Sequence, residues 1–402
     1  MKIRNHIVTL LVVSLFASTK LNSQLRQILS FDFFGEQVSI PVDYSVHIPF
    51  NGTPDANNIT GFILFLQKSS FSSLTESLLE IKSGQKLNDW IYYQLIRKTA
   101  QQISPKAENY YRYTLYKWFL LTRSGYDALL RTSGEKLLFY VRTDENIYNI
   151  PCYLKNGRQY VCLNYHDYGS NIDFEKEKFY EIALHTEEAV NAFSYRITRL
   201  PDFNPSVYKE KQIQFSYNRH EYDFKIKLNP QVKTLFNNYP VVDYASYFNI
   251  PLSEETYRSL IPALKKTVKG LSVKNGVNYL MHFTRYAFVF KTDTEVFGTE
   301  KRLTPEQTLL YDESDCEDRA ALFFYLVKEI YNLPMIVLAF PEHVTIAVKF
   351  DKPVGRPIVY NGEKFSVCEP TPQSKDLKIG KMMPDLYKSS YQVAYAYTPD
   401  RK

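Results

Sequence analysis

Glycine is scarce: 14 in 402 residues, about half its usual ~7% share. No Gly-X-Y period occurs, which excludes a collagen-like fibre, and no Gly-rich phosphate loop is found. Charge of one sign is missing too. The 49 Lys and Arg against 43 Asp and Glu leave +6, and half of that excess (Lys2, Arg4, Lys20) lies in the first 20 residues. The remainder is too weak for a nucleic-acid-binding stripe. No run reaches 18 apolar residues, so no stable membrane span is expected. Metal-ligand spacing is also absent: His47, His166, His185, His220 and His282 lack i, i+4 partners and nearby cysteines. No metal and no cofactor is expected.

What is present is apolar and aromatic. Hydrophobic residues make up 45% of the chain, with 33 Tyr and 27 Phe. That supports full cores and excludes a mainly disordered chain; Tyr-rich strands suit half-buried sheets. At roughly 100–200 residues per domain, two or three domains are expected. The start is a basic tip (MKIR), an apolar stretch over 7–17 and a small polar region over 19–24. This is the layout of a secretory signal peptide over 1–23, cleaved after Ser23. Its apolar core is too short to span a bilayer, and a soluble periplasmic or secreted protein is expected. In such a compartment disulfides are the default. Cys152 and Cys162 flank an Asn-Gly turn (PCYLKNGRQYVC). A three-residue loop there would set them opposite each other, and a Cys152–Cys162 bridge is one expectation.

The expected class is α+β. Residues 24–168 read as an N-terminal α+β domain, with helices over 87–103 and 110–123 by 3.6-residue periodicity. Residues 169–250 alternate (FSYRITRL, QIQFSY, YDFKIKL) and read as a small antiparallel β-sandwich. Residues 251–402 form a third domain, whose last 90 residues combine one strong helix with several strands.

That helix starts at a cysteine. In YDESDCEDRAALFFYLVKEIYNLP, Ser314 and Glu317 fit a capping box, which makes Ser314 the N-cap and puts Cys316 at N2. Unpaired N–H groups and the helix dipole favour a negative charge there, and a thiolate can form with a lowered pKa. Asp315, Glu317 and Asp318 oppose it, so an imidazolium is needed. MIVLAF reads as a strand, and His343 opens the next one, HVTIAVKF. Glu369 ends a third, EKFSVCEPT. A Cys at a helix start, a His at a strand start and an acid at the next strand end suit a nucleophile, a base and an orienting carboxylate.

SDCEDRAALF, PEHVTIAV and FSVCEPT resemble the three signature segments of the transglutaminase-like superfamily, and FKTDTEVFGTEKRLTPEQTL resembles the lead-in of its exported bacterial members. The resemblance covers about residues 253–398. It implies a papain-like fold for the C-terminal domain, Cys316 as nucleophile, His343 as base and Glu369 as the acid, where Asp is usual. It also implies an oxyanion hole from the Cys316 backbone N–H and a side-chain donor, Gln307 or Tyr311. The implied function is a cysteine-dependent amide hydrolase or acyl transferase acting on peptide or protein amides. The alternative is a non-catalytic binding or scaffold protein of the cell envelope, with an envelope polymer as its partner.

Finally, residues 108–168 echo 316–374. GEKLLFYV aligns with PEHVTIAV, and LKNGRQYVCL with VYNGEKFSVCE. In the first copy Glu108 falls near the Cys position, Lys136 replaces the His and Leu163 the Glu. The N-terminal domain therefore reads as a degenerate transglutaminase-like copy that serves as a substrate platform; the competing explanation is chance, since helix–hairpin units are common.

Overall fold

The computed structural model describes residues 26–43, 46–69, 71–184 and 189–399. The leader over 1–23 and His185 lie outside them. Alternation builds the first element. In strands β1 (Arg26–Phe33) and β2 (Glu36–Asp43), Leu29, Phe31, Phe33, Val38, Ile40 and Val42 are buried, and the residues between them are more open. The hairpin closes on Phe34-Gly35, both at positive φ, the turn geometry that matches strand twist. A Cβ at Gly35 would sit 2.3 Å from the Asn204 side chain.

Helices α1 (Ala56–Lys68), α2 (Ser72–Gly84), α3 (Asp89–Ile103) and α4 (Tyr110–Arg123) follow. Asp55, Asn88 and Asn109 cap α1, α3 and α4 by accepting from first-turn N–H groups. Next comes an antiparallel sheet of β3 (Ala128–Ser133), β4 (Lys136–Thr143), β5 (Cys152–Lys155), β6 (Arg158–Cys162) and β7 (Tyr180–Glu181). Its spatial order is β5-β6-β4-β3-β7.

The same series then recurs. A hairpin of β8 (Lys209–Tyr217) and β9 (His220–Leu228) is followed by α5 (Glu254–Val268), α6 (Val273–Tyr286), the short α7 (Pro305–Leu310) and α8 (Cys316–Tyr331). A second sheet comprises β10 (Met335–Phe340), β11 (His343–Val348), β12 (Ile358–Tyr360), β13 (Glu363–Cys368) and β14 (Gln392–Tyr397), in the order β12-β13-β11-β10-β14. The two sheets share one topology, strand for strand. The hairpins are placed alike as well: β1 packs on α3 and β2 on α2, as β8 packs on α6 and β9 on α5. One apolar core runs through both units. Trp90 Nε1 crosses between them to the Leu235 carbonyl at 3.0 Å, and Ile147–Tyr148 pairs with Val241–Val242.

The structure corrects three expectations. No β-sandwich occupies 169–250: among the described residues this stretch gives the short edge strand β7, the two-stranded β8–β9 hairpin, the two-residue strand Val241–Val242, the short helices Gln231–Leu235 and Tyr244–Phe248, two single 3-10 turns and extended chain. The FSYRITRL segment does alternate, with Phe193, Tyr195 and Ile197 buried. Its backbone, however, is held by carboxylates. Ser194 N–H donates to Asp89 (3.0 Å) and Tyr195 N–H to Glu145 (2.7 Å). Period two reports an extended chain with one buried face, not a strand partner. Second, the hairpin over 209–228 packs on helices of the C-terminal unit, which therefore begins well before residue 251. Third, Cys152 and Cys162 are free. The turn is the two-residue Asn156-Gly157, with Lys155 opposite Arg158, so Cys152 faces Val161 and Cys162 points to the other side. Thiol titration of the unfolded, unreduced chain should therefore count all four cysteines; a count short by two would restore the bridge.

Candidate active site

Helix α8 begins one residue later than the sequence suggests. Asp315, not Ser314, is the N-cap; its Oδ1 accepts from Glu317 N–H (3.0 Å) and Asp318 N–H (3.3 Å). Asp318 answers by accepting from Asp315 N–H (3.3 Å), which completes a capping box. Ser314 is drawn instead into a short parallel pairing of Glu313–Ser314 with Val289–Phe290. Cys316 is thus N1, where its own N–H has no acceptor inside the helix. The first turn is pinned from below by Arg319, fully buried, which donates to the carbonyls of Thr284 (3.0 Å), Arg285 (2.7 Å) and Phe288 (2.9 Å). These carbonyls end α6 and would otherwise lack partners. The far end of α8 stops at Asn332 in the left-handed region.

His343 opens β11 opposite Phe340, across the Pro341-Glu342 turn. Strand β13 pairs with β11 only over Ile346–Val348, so the start of β11 is free on that side. There the Cys316 sulfur lies against the Val344 backbone N–H. Glu369, just past β13, reaches back: His343 Nε2 donates to Glu369 Oε2 at 2.8 Å. His343 is 8% exposed and Glu369 1%. Thr371 N–H donates to the other carboxylate oxygen at 2.9 Å, and the buried Arg285 donates to the Glu369 carbonyl. A proton held on Nε2 leaves Nδ1 with a free lone pair, the form a base needs. The three residue types are therefore brought to one place, although no hydrogen bond joins the sulfur to the ring among the described residues.

The electrostatics run against the expected thiolate. Burial pushes the Cys316 thiol well above its ordinary range, and Asp315, Glu317 and Glu369 push the same way; only the Val344 N–H opposes them. These surroundings favour the protonated thiol at Cys316. Acids crowd this helix start. Asp293, Glu300 and Asp315 bring carboxylate oxygens within 4.8 Å of one another, a set able to hold a hard cation. Asp293 and Glu300 lie seven residues apart in the stretch before α8 and Asp315 at its N-cap, a spacing with no metal-ligand pattern. Burial and then Asp315 raise the Asp293 carboxyl to about 7, and burial raises Asp315 and Asp318. Arg302 offsets part of this by pairing with Glu317 at 3.4 Å.

The two oxyanion candidates have these surroundings. Gln307 closes the α7 capping box by accepting from Thr304 N–H (3.0 Å), and its Nε2 is buried without a partner. Tyr311 ends α7 and packs on Phe297 at 5.2 Å and under Lys233. Neither hydrogen-bonds Cys316, His343 or Glu369. Sequence reasoning also missed Arg285 and Arg319; a lone Arg in the apolar run DRAALFF was the available signal. In the first unit, Tyr110 takes N1 of α4, so it and not Glu108 matches Cys316. Lys136 opens β4 as His343 opens β11. Leu163 bonds to Phe139 as Cys368 pairs with Ile346, so Asn164 and not Leu163 matches Glu369.

No protein-family model, no curated protein and no solved structure matches this chain.

Two outcomes follow from these charges. Asp293 binds, when folded, a proton that the unfolded chain releases near pH 4. Its contribution to stability is complete below about pH 4 and is lost as pH rises through about 7. The urea midpoint should fall across that window, and Asp293→Asn should flatten the fall; an unchanged slope in the variant contradicts the assignment. Alkylation of native Cys316 by iodoacetamide should be slower at neutral pH than that of a free peptide thiol and faster in Glu317→Gln. A rate above the peptide's would show an ionised sulfur.

Proposed function

We propose that this chain is an exported, cysteine-dependent amide hydrolase or acyl transferase of transglutaminase-like type, acting on peptide or protein amides. The observation that carries it is the His343 Nε2–Glu369 Oε2 bond of 2.8 Å, beside a sulfur at N1 of a helix that touches the residue after His343. The basic, apolar and polar succession of the first 24 residues supports export.

With the thiol favoured over the thiolate, attack and proton transfer are coupled. As an amide carbonyl meets the sulfur, His343 Nδ1 takes the thiol proton and the sulfur–carbon bond forms. The imidazolium is held by Glu369, buried and fixed on both carboxylate oxygens. The N1 N–H of Cys316 is free to donate to the developing oxyanion, an interaction worth on the order of 3 kcal/mol in such sites. His343 then protonates the leaving amine, and a thioester remains. Water gives the acid; a second amine gives a new amide.

A second reading, a binding or scaffold protein of the cell envelope with the same fold, is favoured by one observation: three carboxylates oppose a thiolate at Cys316. Mass spectrometry with an activated acyl ester separates the two. The enzyme forms a thioester on Cys316 and turns over peptide amides. Cys316→Ala should abolish both, and Glu369→Gln should slow turnover by roughly 10²–10⁴-fold, as misorienting a catalytic His does elsewhere. Acylation that is absent, or that survives Cys316→Ala, leaves only the binding role.

A further inference from the structure

Between the two units lies a cleft of about 600 Å³, away from the residues assigned to acyl transfer. Its wall draws on the β1–β2 turn, the end of α3, the start of α4 and the short helix Gln231–Leu235. Three cations line it, Arg97, Lys98 and Lys233, against one carboxylate, Asp32. None of the four forms a salt bridge among the described residues. Lys233 is held beside the cavity by its contact with the Tyr311 ring, 3.8 Å from the centroid. Burial and the nearby Lys211 both disfavour its charge, so an anion there relieves a cost already present in the folded chain.

The cleft also carries an unmet acceptor. Gln231 lines it, and its Oε1 is buried with no hydrogen-bond partner. That atom is closed to solvent and so is not itself a ligand contact; the Asn237 and Asn238 amides stand more open on the same wall. Amide side chains make up much of the remaining wall, offering paired donors and acceptors of the kind that hydroxyl groups match. A cavity of this size with a few convergent polar groups is the usual form of a small-molecule site.

We infer that this cleft binds a small sugar bearing an anionic group, phosphate or carboxylate, with the anion on Arg97, Lys98 and Lys233 and its hydroxyl groups on the wall amides of Asn237 and Asn238. The assignment is independent of the chemistry at Cys316. Calorimetric titration of the full-length folded chain with glucose 6-phosphate, glucuronate and glucose tests it. One-to-one binding of either anionic sugar, weakened by salt, is expected, and which of the two binds identifies the anion. The double variant Lys98→Met, Lys233→Met should weaken binding by roughly tenfold or more, as loss of charge-assisted contacts does. Asn238→Leu should weaken it at unchanged salt dependence, a readout that a general loss of charge would not give. Glucose binding as tightly as the anions, binding by neither anion, or unchanged affinity in a double variant that retains the wild-type melting temperature each overturns the assignment.

Discussion

Capping and nucleophile chemistry make opposite demands on the first turn of the helix Cys316–Tyr331. Its backbone donors need acceptors, and Asp315 and Asp318 supply them within one capping box, while Asp318 also takes the Leu303 N–H at 2.7 Å. Those bonds tie the helix start to the loop before it and so fix where Cys316 stands. Burial, and then one of those carboxylates, Asp315, together with Glu317 and Glu369, disfavour a negative charge on the sulfur. The fold thus secures the position of the thiol with groups that keep it protonated. Any reaction here depends on His343 taking the proton during attack rather than beforehand, which makes the fixed His343–Glu369 pair the central interaction.

The repeat shows what the same framework does without those groups. At N1 of α4 stands Tyr110, whose hydroxyl donates to Asp167 (3.0 Å) and accepts from Asn164 Nδ2 (2.8 Å). Asn164 is fully buried and spans from Phe139 N–H to the Leu137 carbonyl. Lys136 is bound to Glu177. The corresponding place is thus filled by side chains that bond to one another: Asp167 also pairs with His166 (3.2 Å), and the buried Cys162 thiol points to Asn164 Oδ1 (3.5 Å), but neither group stands at the matching N1 or strand-start position. Identical strand order with this exchange of residues is what duplication followed by divergence produces, and chance recurrence of a helix–hairpin unit does not account for the matching first hairpins.

Much of the second sheet and its helix was legible because the local signals agree. MIVLAF, HVTIAV and EKFSVC fall on β10, β11 and β13, and Tyr110 to Arg123 is a helix as its period suggests. The Cys316, His343 and Glu369 positions followed from that pattern. What failed depended on partners outside the local window. Ser314 looked like a cap until a distant strand claimed it. FSYRITRL looked like a sheet strand because burial alternates, yet after a single backbone bond from Phe193 N–H to the Arg142 carbonyl its next two N–H groups go to Asp89 and Glu145. The cysteine pair looked bridged because the hairpin register turned on one residue of loop length. The acids around Asp293 come together only in three dimensions.

Tyr311 shows how far a right segment can mislead about a single residue. The lead-in to α8 does serve the helix start, but through backbone rather than a side-chain donor: Leu303 N–H reaches Asp318, and Lys301 N–H reaches Asp293 at 2.7 Å. Its side chains turn the other way. Lys301 lies 4.7 Å from the Phe297 ring centroid and 5.8 Å from that of Tyr311, and Tyr311 forms part of the cleft wall under Lys233. One short run of chain therefore borders the cleft with its side chains and braces the helix start with its amides. The two roles sit at opposite ends of α7, the amides of Lys301 and Leu303 before it and the Tyr311 side chain after it, so a shift of that short helix moves both.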